Sequence, residues 1–265
     1  NRRANAVARL LAERGAAPER FVAVALPRTA DLLVTLLAVQ KAGAAYLPLD
    51  TNFPADRIHR MITDARPAVL VTTGELLPGL SDVSVPTVLV GEADLTGYAD
   101  GDLGHRAEAT SAAYVLHTSG STGTPKGVVV PRGALDNFLR AMADRCAVTP
   151  DDRLLAVTTI GFDIAGLELY LPLACGAHVV IAGPDTVRDP EALRAAVTAH
   201  GITLMQATPT LWRAATGRDA SFLSGVRVLV GGEALPADLA ATLTGGAQSV
   251  LNVYGPTETT IWSTA

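Results

Sequence analysis

The sequence reads AAYVLHTSGSTGTPKGVVV over residues 112–130, a polar loop between two apolar runs. Within it, residues 118–127 combine three glycines, several hydroxyl side chains and one lysine. Backbone N–H groups exposed by glycine, hydroxyl donors and an ammonium group together suit the oxygens of a phosphate ester. A flexible polar turn is the alternative interpretation. The stretch therefore predicts a phosphate-binding loop that follows a buried strand, with Lys126 as its cation.

Two better-known loops do not fit this spacing. In the Walker A loop a lysine follows glycine and precedes serine or threonine, whereas Lys126 follows Pro125 and precedes Gly127. In the nucleophile elbow a serine stands midway between two glycines, and Ser121 does not. The chain has one other lysine, Lys41. Because lysine is so rare, its presence in the loop suggests a functional need.

Short apolar runs alternate with stretches of helical periodicity along the whole chain. Strands are predicted at residues 21–26, 45–49, 68–72, 87–90, 112–116, 154–157, 178–181, 202–205, 226–230 and 250–253. Helices are predicted at residues 4–14, 29–42, 56–64, 134–145, 165–173, 190–200, 210–215 and 236–242. Continuous apolar strands alternating with helices are typical of an α/β fold with mostly parallel sheets flanked by helices. The Gly-, Asp- and Ala-rich segment at residues 91–110 is a candidate sub-domain junction.

Composition narrows the class of protein. The 265 residues are 49% hydrophobic with a formal net charge of −5, which permits a buried core and argues against disorder. The acidic balance argues against a nucleic-acid partner, and no apolar run reaches the ~18–20 residues of a membrane span. Two cysteines are too few for a disulfide framework and indicate a reducing, cytoplasmic location. Because the first residue is not Met, we expect the chain to be cut from a longer one.

Three further segments carry recognisable patterns. They read QKAGAAYLPLD at residues 40–50, GFDI at 161–164 and NVYGPTE at 252–258. Together with the loop at 118–127, and in this order, they resemble the motifs of adenylate-forming (AMP-binding) enzymes. Within that superfamily they resemble the adenylation domains of nonribosomal peptide synthetases. The resemblance implies that residues 1–265 are a partial adenylation domain: most of the large N-terminal lobe, with the small C-terminal lobe absent.

The resemblance implies a site for ATP and Mg²⁺. Thr118, Lys126 and Glu258 are the implied catalytic residues. Tyr254 is implied to stack on adenine and Thr257 to contact the α-phosphate, whereas Glu258 would coordinate Mg²⁺, a hard cation that prefers carboxylate oxygen. A plain turn is the alternative at both strand ends involved. The implied nucleotide-binding residues are Thr118, Ser119, Gly120, Ser121, Thr122, Gly123, Lys126, Gly231, Gly232, Glu233, Asn252, Tyr254, Gly255, Thr257 and Glu258.

Asp163 indicates the kind of substrate. It lies between Phe162 and Ile164, and a carboxylate in apolar surroundings needs a partner; a helix N-cap is the alternative. By the resemblance it pairs with the α-amino group of an amino acid. The implied substrate-binding residues are Asp163, Ile164, Leu167, Gln206 (with Ala207 as the neighbouring alternative), Leu229, Gly231, Val253, Ile261 and Trp262. Their pattern is close to one associated with the activation of glycine. Alanine and serine are the alternative substrates.

The implied reaction is ATP-dependent activation of a small amino acid to aminoacyl-AMP, with release of pyrophosphate. The amino acid would then be loaded onto the phosphopantetheine of a separate carrier protein, and a condensation domain or a small activator protein are further implied partners. Within the enzymes, the alternative is an acyl or aryl acid ligase, which needs no carboxylate at Asp163. From another class, the alternative is a non-catalytic remnant that binds nucleotide without turnover.

Overall fold

The computed structural model describes residues 1–80, 84–104, 107–118, 125–217 and 219–265. These residues form two compact units, Asn1–Asp136 and Asn137–Ala265. Each unit is built around a sheet in which parallel pairing predominates. Along the chain, the strands of the sheet alternate with helices. The predicted α/β class with mostly parallel sheets is therefore confirmed.

The described part of the first unit holds a six-stranded sheet. Its strands are β1 (Phe21–Val24), β2 (Ala45–Pro48), β3 (Val69–Thr72), β4 (Thr87–Leu89), β5 (Ala112–Thr118) and β6 (Lys126–Pro131). Their order is β4-β3-β1-β2-β5-β6, with an antiparallel pair only at β5–β6. The helices are α1 (Arg2–Glu13), α2 (Ala30–Lys41) and α3 (Ala55–Ala65), and α4 (Arg132–Arg145) follows β6. Apolar side chains of α3 pack on those of β1, β2 and β3 in one buried cluster.

The candidate junction at residues 91–110 lies inside the first unit. Side chains of α1 hold it there: Asn5 donates from Nδ2 to Asp100 O at 2.7 Å, and Arg9 donates to Ala99 O at 2.8 Å. A composition rich in Gly and Asp indicates irregular backbone, but it does not report contacts from a distant helix. The boundary between the two compact units lies between residues 136 and 137.

The described part of the second unit holds a wholly parallel five-stranded sheet. Its strands are β7 (Arg153–Ala156), β8 (His178–Ile181), β9 (Leu204–Ala207), β10 (Arg227–Val230) and β11 (Ser249–Asn252), in the order β11-β10-β9-β7-β8. Its helices are α5 (Ala165–Ala174), α6 (Pro184–Arg188), α7 (Pro190–Ala199), α8 (Pro209–Thr216) and α9 (Ala237–Gly246). Helix α5 packs against β7 and β8, whereas α7, α8 and α9 share a buried cluster with the strands.

The direction in which the second sheet grows reverses between β7 and β9. From β7 the chain moves to β8 at one edge, then crosses to β9 and continues through β10 to β11. The pairing of β7 with β9 joins Leu154 and Leu155 to Leu204 and Met205. In open parallel sheets such a reversal leaves a crevice at the carboxyl ends of the two strands, where ligands bind. The fold therefore predicts a site beyond the ends of β7 and β9.

The predicted elements are present with shifted ends. Strand β9 ends two residues later than the prediction for residues 202–205, so Gln206 and Ala207 belong to the strand. The apolar run begins earlier than the strand because Ile202 packs into the core from the preceding loop. In the part of the chain that the structure describes, no helix has the length and apolar character needed to cross a membrane.

A buried ion pair links β10 to the turn before β7. Arg227 donates to the carboxylate of Asp152 and to two backbone carbonyls of the same turn. Asp152 also accepts from Thr203 Oγ1 and from the Thr149 N–H, both at 2.7 Å. Burial raises the pKa of Asp152, but the hydrogen bonds from Thr203, Thr149 and Arg227 outweigh it and hold that pKa below its usual value.

We expect Asp152→Asn to lower the free energy of unfolding by roughly 2–4 kcal/mol near neutral pH, because Arg227 loses its buried counter-charge. A depressed pKa means that the stabilisation is present above the usual carboxyl pKa of about 4 and is lost as pH falls through the folded-state value. The variant and the parent should therefore converge in acid. Urea unfolding at about pH 7 and about pH 3 measures both effects.

The matched control is Asp238→Asn, which alters the exposed pair of Asp238 with Arg213. Because solvent screens that pair, its loss of stability should be much smaller. Equal losses in the two variants, or a loss at Asp152 that does not depend on pH, would contradict the role given to this carboxylate.

Candidate active site

A cavity of about 400 Å³ lies at the reversal between β7 and β9 in the second unit. Its walls are largely the segments that follow the carboxyl ends of the strands, as the topology predicts. The lining residues are Val157, Thr158, Thr159, Phe162, Asp163, Ile164, Ala207, Thr208, Leu211, Gly232, Glu233, Gly255 and Trp262. Those named from the sequence as site residues are Asp163, Ile164, Gly232, Glu233, Gly255 and Trp262, with Ala207 as the stated alternative.

Asp163 lines this cavity with a carboxylate that is only partly satisfied. Its Oδ2 is buried and, among the described residues, has no hydrogen-bond partner. Burial raises the pKa of Asp163, and hydrogen bonds from the Thr257 hydroxyl and the N–H groups of Ile164 and Ile261 offset this only in part. Helix α5 begins at Ala165 with Ile164 in the N-cap position. A buried carboxylate with an unused acceptor favours a ligand that carries positive charge.

The segment after β11 folds back on itself and returns to the cavity. The Tyr254 N–H donates to Thr264 O at 3.0 Å, and these two residues form an antiparallel bridge. Gly255 lies at the crossing, where an added Cβ would stand 2.8 Å from the Cα of Trp262. A side chain at Gly255 would therefore force the returning strand away. This close approach explains the glycine of the NVYGPTE motif and places Trp262 beside the cavity.

Two residues of this return have a strained backbone. Thr260 and Ile261 have φ of 68° and 66°, a left-handed conformation that is unfavourable for β-branched side chains. Such strain costs about 1–3 kcal/mol per residue and persists where the surroundings impose it. Ile261 is fully buried, and its Cδ1 lies 3.2 Å from the position that a Cβ would take at Gly166 of α5. Packing on α5 therefore helps to fix the backbone that carries Trp262.

Trp262 forms one wall of the cavity with its ring almost fully buried, at 7% exposure. An added Cβ at Gly231, just beyond β10, would lie 2.6 Å from Trp262 Cη2 and 2.7 Å from Val253 O. Both distances are far inside van der Waals contact, so the ring occupies the space that a side chain at Gly231 would need. The absence of a side chain at Gly231 thus leaves the space in which the ring of Trp262 forms the cavity wall.

Glu168 is a residue of this site that the sequence analysis missed. It is 0% exposed, and its Oε2 accepts from the N–H groups of Val157 and Thr158 at 2.8 and 2.9 Å. Its Oε1 accepts from Thr158 Oγ1 at 2.6 Å and from Gln206 Nε2 at 3.1 Å. A signal was available, because Glu168 is the one charged residue in the otherwise apolar helix α5, and buried charge requires hydrogen-bonding partners.

Gln206 links Glu168 to the wall of the cavity. Its Nε2 also donates to Ile164 O at 3.0 Å, and its Oε1 accepts from Trp262 Nε1 at 2.8 Å. With 1% exposure it is not among the residues that line the cavity, whereas its neighbour Ala207 is. The other predicted substrate-binding residues, Leu167, Leu229, Val253 and Ile261, are buried and lie outside this lining set.

A second cavity, of about 390 Å³, shares Gly232, Glu233, Gly255 and Trp262 with the first. Asn252 and Tyr254 line its other side, and Tyr254 is 70% exposed. An accessible aromatic ring at a cavity suits stacking on a planar base.

Two acidic residues predicted for the nucleotide site have different surroundings. Glu233 accepts from the N–H and the hydroxyl of Thr210 at 3.1 and 2.6 Å, so it caps the start of α8. Glu258 is exposed in a short 3₁₀ turn, Thr257–Thr259. The described residues contain no group of three or more His, Cys, Asp or Glu that could hold a metal ion. A single accessible carboxylate fits Mg²⁺ nonetheless, since this ion commonly takes one or two carboxylates together with substrate phosphates.

Thr118 and Lys126 belong to the first unit and face each other across the antiparallel pair β5–β6. Strand β5 is thus followed by a strand, β6, whereas a helix follows the strand in a Walker A site. Lys126 is exposed. The predicted phosphate-binding residues Ser119, Gly120, Ser121, Thr122 and Gly123 lie outside the described residues.

We expect Gly231→Ala to lower the free energy of unfolding by about 1–3 kcal/mol, because its methyl group overlaps Trp262 and the backbone of Val253. Gly245→Ala is the matched control: at this position in α9 an added Cβ meets no described atom within 4 Å. It should stabilise the helix by roughly 0.5–1 kcal/mol. Urea unfolding of both variants measures the difference, and a neutral Gly231→Ala would contradict the packing described for Trp262.

Known proteins match the chain over its whole length. A family model described as AMP-binding enzyme matches residues 1–265. The chain is 49% identical over 270 residues to a dimodular nonribosomal peptide synthase of Bacillus subtilis (strain 168), covering 100% of the chain and 11% of that protein. It is 40% identical over 266 residues to enterobactin synthase component F of Escherichia coli (strain K12), covering 97% of the chain and 20% of that protein.

A solved structure matches as well. The crystal structure of holo-AB3403, a four-domain nonribosomal peptide synthetase bound to AMP and glycine, has a TM-score of 0.88 and 38% sequence identity, covering 99% of this chain and 19% of that one. The chain spans a fifth or less of the length of these relatives. On the family match over all 265 residues, the chain belongs to the AMP-binding enzymes, in the branch of the nonribosomal peptide synthetase adenylation domains.

Proposed function

We propose that the chain binds ATP and a small amino acid for the formation of aminoacyl-AMP with release of pyrophosphate. The observation that carries the proposal is the carboxylate of Asp163, which lines a cavity with a buried oxygen that no described residue satisfies. The ammonium group of an amino acid supplies the missing positive donor. An acid without an amine would leave that oxygen unsatisfied.

The proposed reaction needs no nucleophile from the protein. A carboxylate oxygen of the amino acid attacks the α-phosphorus of ATP; the new P–O bond forms as the bond to pyrophosphate breaks, and the electron pair leaves with pyrophosphate. The protein contributes position and charge. Asp163 orients the amine, Tyr254 stacks on the adenine, and Thr118 and Lys126 donate to phosphate oxygens. Glu258 would hold Mg²⁺, which neutralises phosphate charge when bound.

Glycine is the amino acid we propose as the substrate, and alanine and serine are the alternatives. The ring of Trp262 takes up space at the cavity wall, held against Gly231. Both N–H groups of the Gln206 amide donate to protein oxygens, so it has no donor left for the hydroxyl oxygen of serine. The related structure that binds AMP and glycine supports the same choice.

Carrier proteins are the proposed acceptors of the activated amino acid, through a phosphopantetheine group. Relatives that match the chain are described as multi-module or four-domain peptide synthetases, which supports a carrier protein and a condensation domain as partners; a small activator protein is a further proposal. Both cysteines are unpaired, and burial raises the pKa of Cys146 to about 11. Unpaired cysteines support the proposed reducing, cytoplasmic location.

Asp163→Asn should abolish most amino-acid-dependent ATP–pyrophosphate exchange in the whole protein that carries these residues. Losing a buried charge partner corresponds to a fall of about 10²–10³-fold in kcat/KM for glycine. Because burial raises the pKa of Asp163, kcat/KM of the parent should decline on the acid side at a higher pH than an ordinary aspartate would impose. The variant should lack this acid limb. The measurement is exchange across a panel of amino acids and pH values.

The matched control is Asp185→Asn, an exposed aspartate of α6, which should leave exchange unchanged. Exchange that peaks with a bulky amino acid would retain the reaction and contradict the glycine assignment. Exchange only with acids that lack an α-amine would point to an acyl or aryl acid ligase. Nucleotide binding without any exchange would point to a non-catalytic remnant.

Lys126→Ala should lower exchange by roughly 10²-fold, because a charged donor to the phosphates is lost. The chain's other lysine provides a matched control: Lys41 forms a surface ion pair with Asp102 at 3.5 Å. Lys41→Ala should retain exchange within about a factor of two. Equal activity of the two variants would show that the loop lysine has no special role.

A further inference from the structure

Glu168 occupies the gap where the second sheet splits. The ladder between β7 and β9 joins Leu155 to Met205 at its carboxyl end, and the first two N–H groups after the end of β7, at Val157 and Thr158, donate to the Glu168 carboxylate. A side chain from α5 thus takes the place of a neighbouring strand. Because backbone N–H groups are seldom left unpaired in the interior, this carboxylate allows the two strands to diverge and open the cavity.

The same carboxylate orients the amide of Gln206. A backbone carbonyl only accepts hydrogen bonds, so Ile164 O, 3.0 Å from Gln206 Nε2, identifies that atom as the NH₂ group of the amide. Glu168 Oε1 and Ile164 O both lie within 3.1 Å of Gln206 Nε2, so the NH₂ group of the amide must point toward them. Its oxygen is then directed the other way, toward the indole N–H of Trp262 at 2.8 Å.

Trp262 is thereby held at two ends. Gln206 holds the indole nitrogen, and the six-membered ring abuts Gly231, where an added Cβ would lie 2.6 Å from Cη2. A ring pinned at both ends cannot tilt to admit a larger ligand without breaking a buried hydrogen bond. Leaving the indole N–H or the Gln206 oxygen unpaired in the interior is costly.

We propose that Glu168 is a positioning residue that, through Gln206, fixes Trp262 as a rigid wall of the amino-acid cavity and so sets its preference for glycine over alanine. The specificity part of this inference rests on the proposed function. The positioning part does not, because it concerns contacts within this chain.

The substitution Glu168→Gln distinguishes the effect of the hydrogen bonds of Glu168 from the effect of burying a side chain of this size. It keeps the size of the side chain but replaces one acceptor oxygen with an NH₂ group. If the remaining oxygen accepts from Val157 and Thr158, the new NH₂ faces the NH₂ of Gln206, and two donors oppose each other. The amide of Gln206 must then turn, and the indole of Trp262 loses its acceptor.

The test uses the indole N–H signals in ¹H–¹⁵N spectra of the chain, which has two tryptophans. Trp212 is the internal reference, because its indole donates to a backbone oxygen, Leu229 O, and not to Gln206. In Glu168→Gln the Trp262 signal should move and exchange faster with solvent, while the Trp212 signal stays. Glu191→Gln, at an exposed glutamate of α7 paired with Arg194, should change neither signal. A Trp262 signal unchanged in a folded Glu168→Gln protein would overturn the proposal.

A second measurement covers the case in which Glu168→Gln does not fold. In the unmodified chain both NH₂ protons of Gln206 should exchange slowly with D₂O and resonate downfield of ordinary glutamine amides. Fast exchange of either proton would overturn the proposal. Gln206→Leu replaces the amide with an apolar side chain of similar size. It should change the Trp262 signal in the same direction as Glu168→Gln.

The specificity is tested by ATP–pyrophosphate exchange in the whole protein. Glu168→Gln and Gln206→Leu should each lower the ratio of kcat/KM for glycine to that for alanine by about tenfold. The change should come mainly through KM, and the double variant should be no worse than either single one. An unchanged ratio would overturn the specificity part. If the unmodified protein shows no exchange, the proposed function fails, while the indole spectra still decide whether Glu168 positions Trp262.

Discussion

The structure of the site depends on one constraint, the separation of two parallel strands whose N–H groups must still be paired. In the described residues the pairing of β7 with β9 ends at Leu155 and Met205, and Glu168 accepts the hydrogen bonds of Val157 and Thr158, which follow β7. A carboxylate is suited to this because it accepts several hydrogen bonds from one side chain. Satisfied in this way, it tolerates complete burial. The cavity exists because the strands can part without leaving polar groups unpaired.

Two carboxylates of the site differ in how far their hydrogen-bonding capacity is used within the protein. Both oxygens of Glu168 accept hydrogen bonds from described residues, whereas Asp163 keeps one buried oxygen without a partner among them. The first therefore suits a structural task. The second has a raised pKa, caused chiefly by burial, and gains from a cationic ligand. Asp163 precedes helix α5 and Glu168 lies within it, so the two are close in the sequence. Their hydrogen bonds, and not their positions in the chain, distinguish their roles.

The sequence predicted the fold class and the location of the main motifs, because both depend on local pattern. Alternating apolar runs and helices identify an α/β sheet, and the segments after β7, β10 and β11 carry the motif residues that reach the cavities. The sequence pattern did not predict contacts between segments that are distant in the chain. Nothing near residues 91–110 indicates that Asn5 and Arg9 bind that segment. Likewise, the left-handed backbone of Ile261 contradicts its local preference, and its side chain packs against α5, a contact between distant parts of the sequence.

Gln206 shows why a pattern of substrate-binding residues needs a structure to be interpreted. The pattern includes it as a substrate-binding residue, yet its side chain is buried and contacts Trp262, which lines the cavity. Excluding alanine from a glycine site rests on one methyl group, a difference worth only about 1–3 kcal/mol. A mobile wall would lose that difference by shifting a fraction of an ångström. Glycine selectivity in such a cavity is therefore a matter of rigidity more than of volume, and a buried polar network with one permitted arrangement supplies rigidity that apolar packing alone would not.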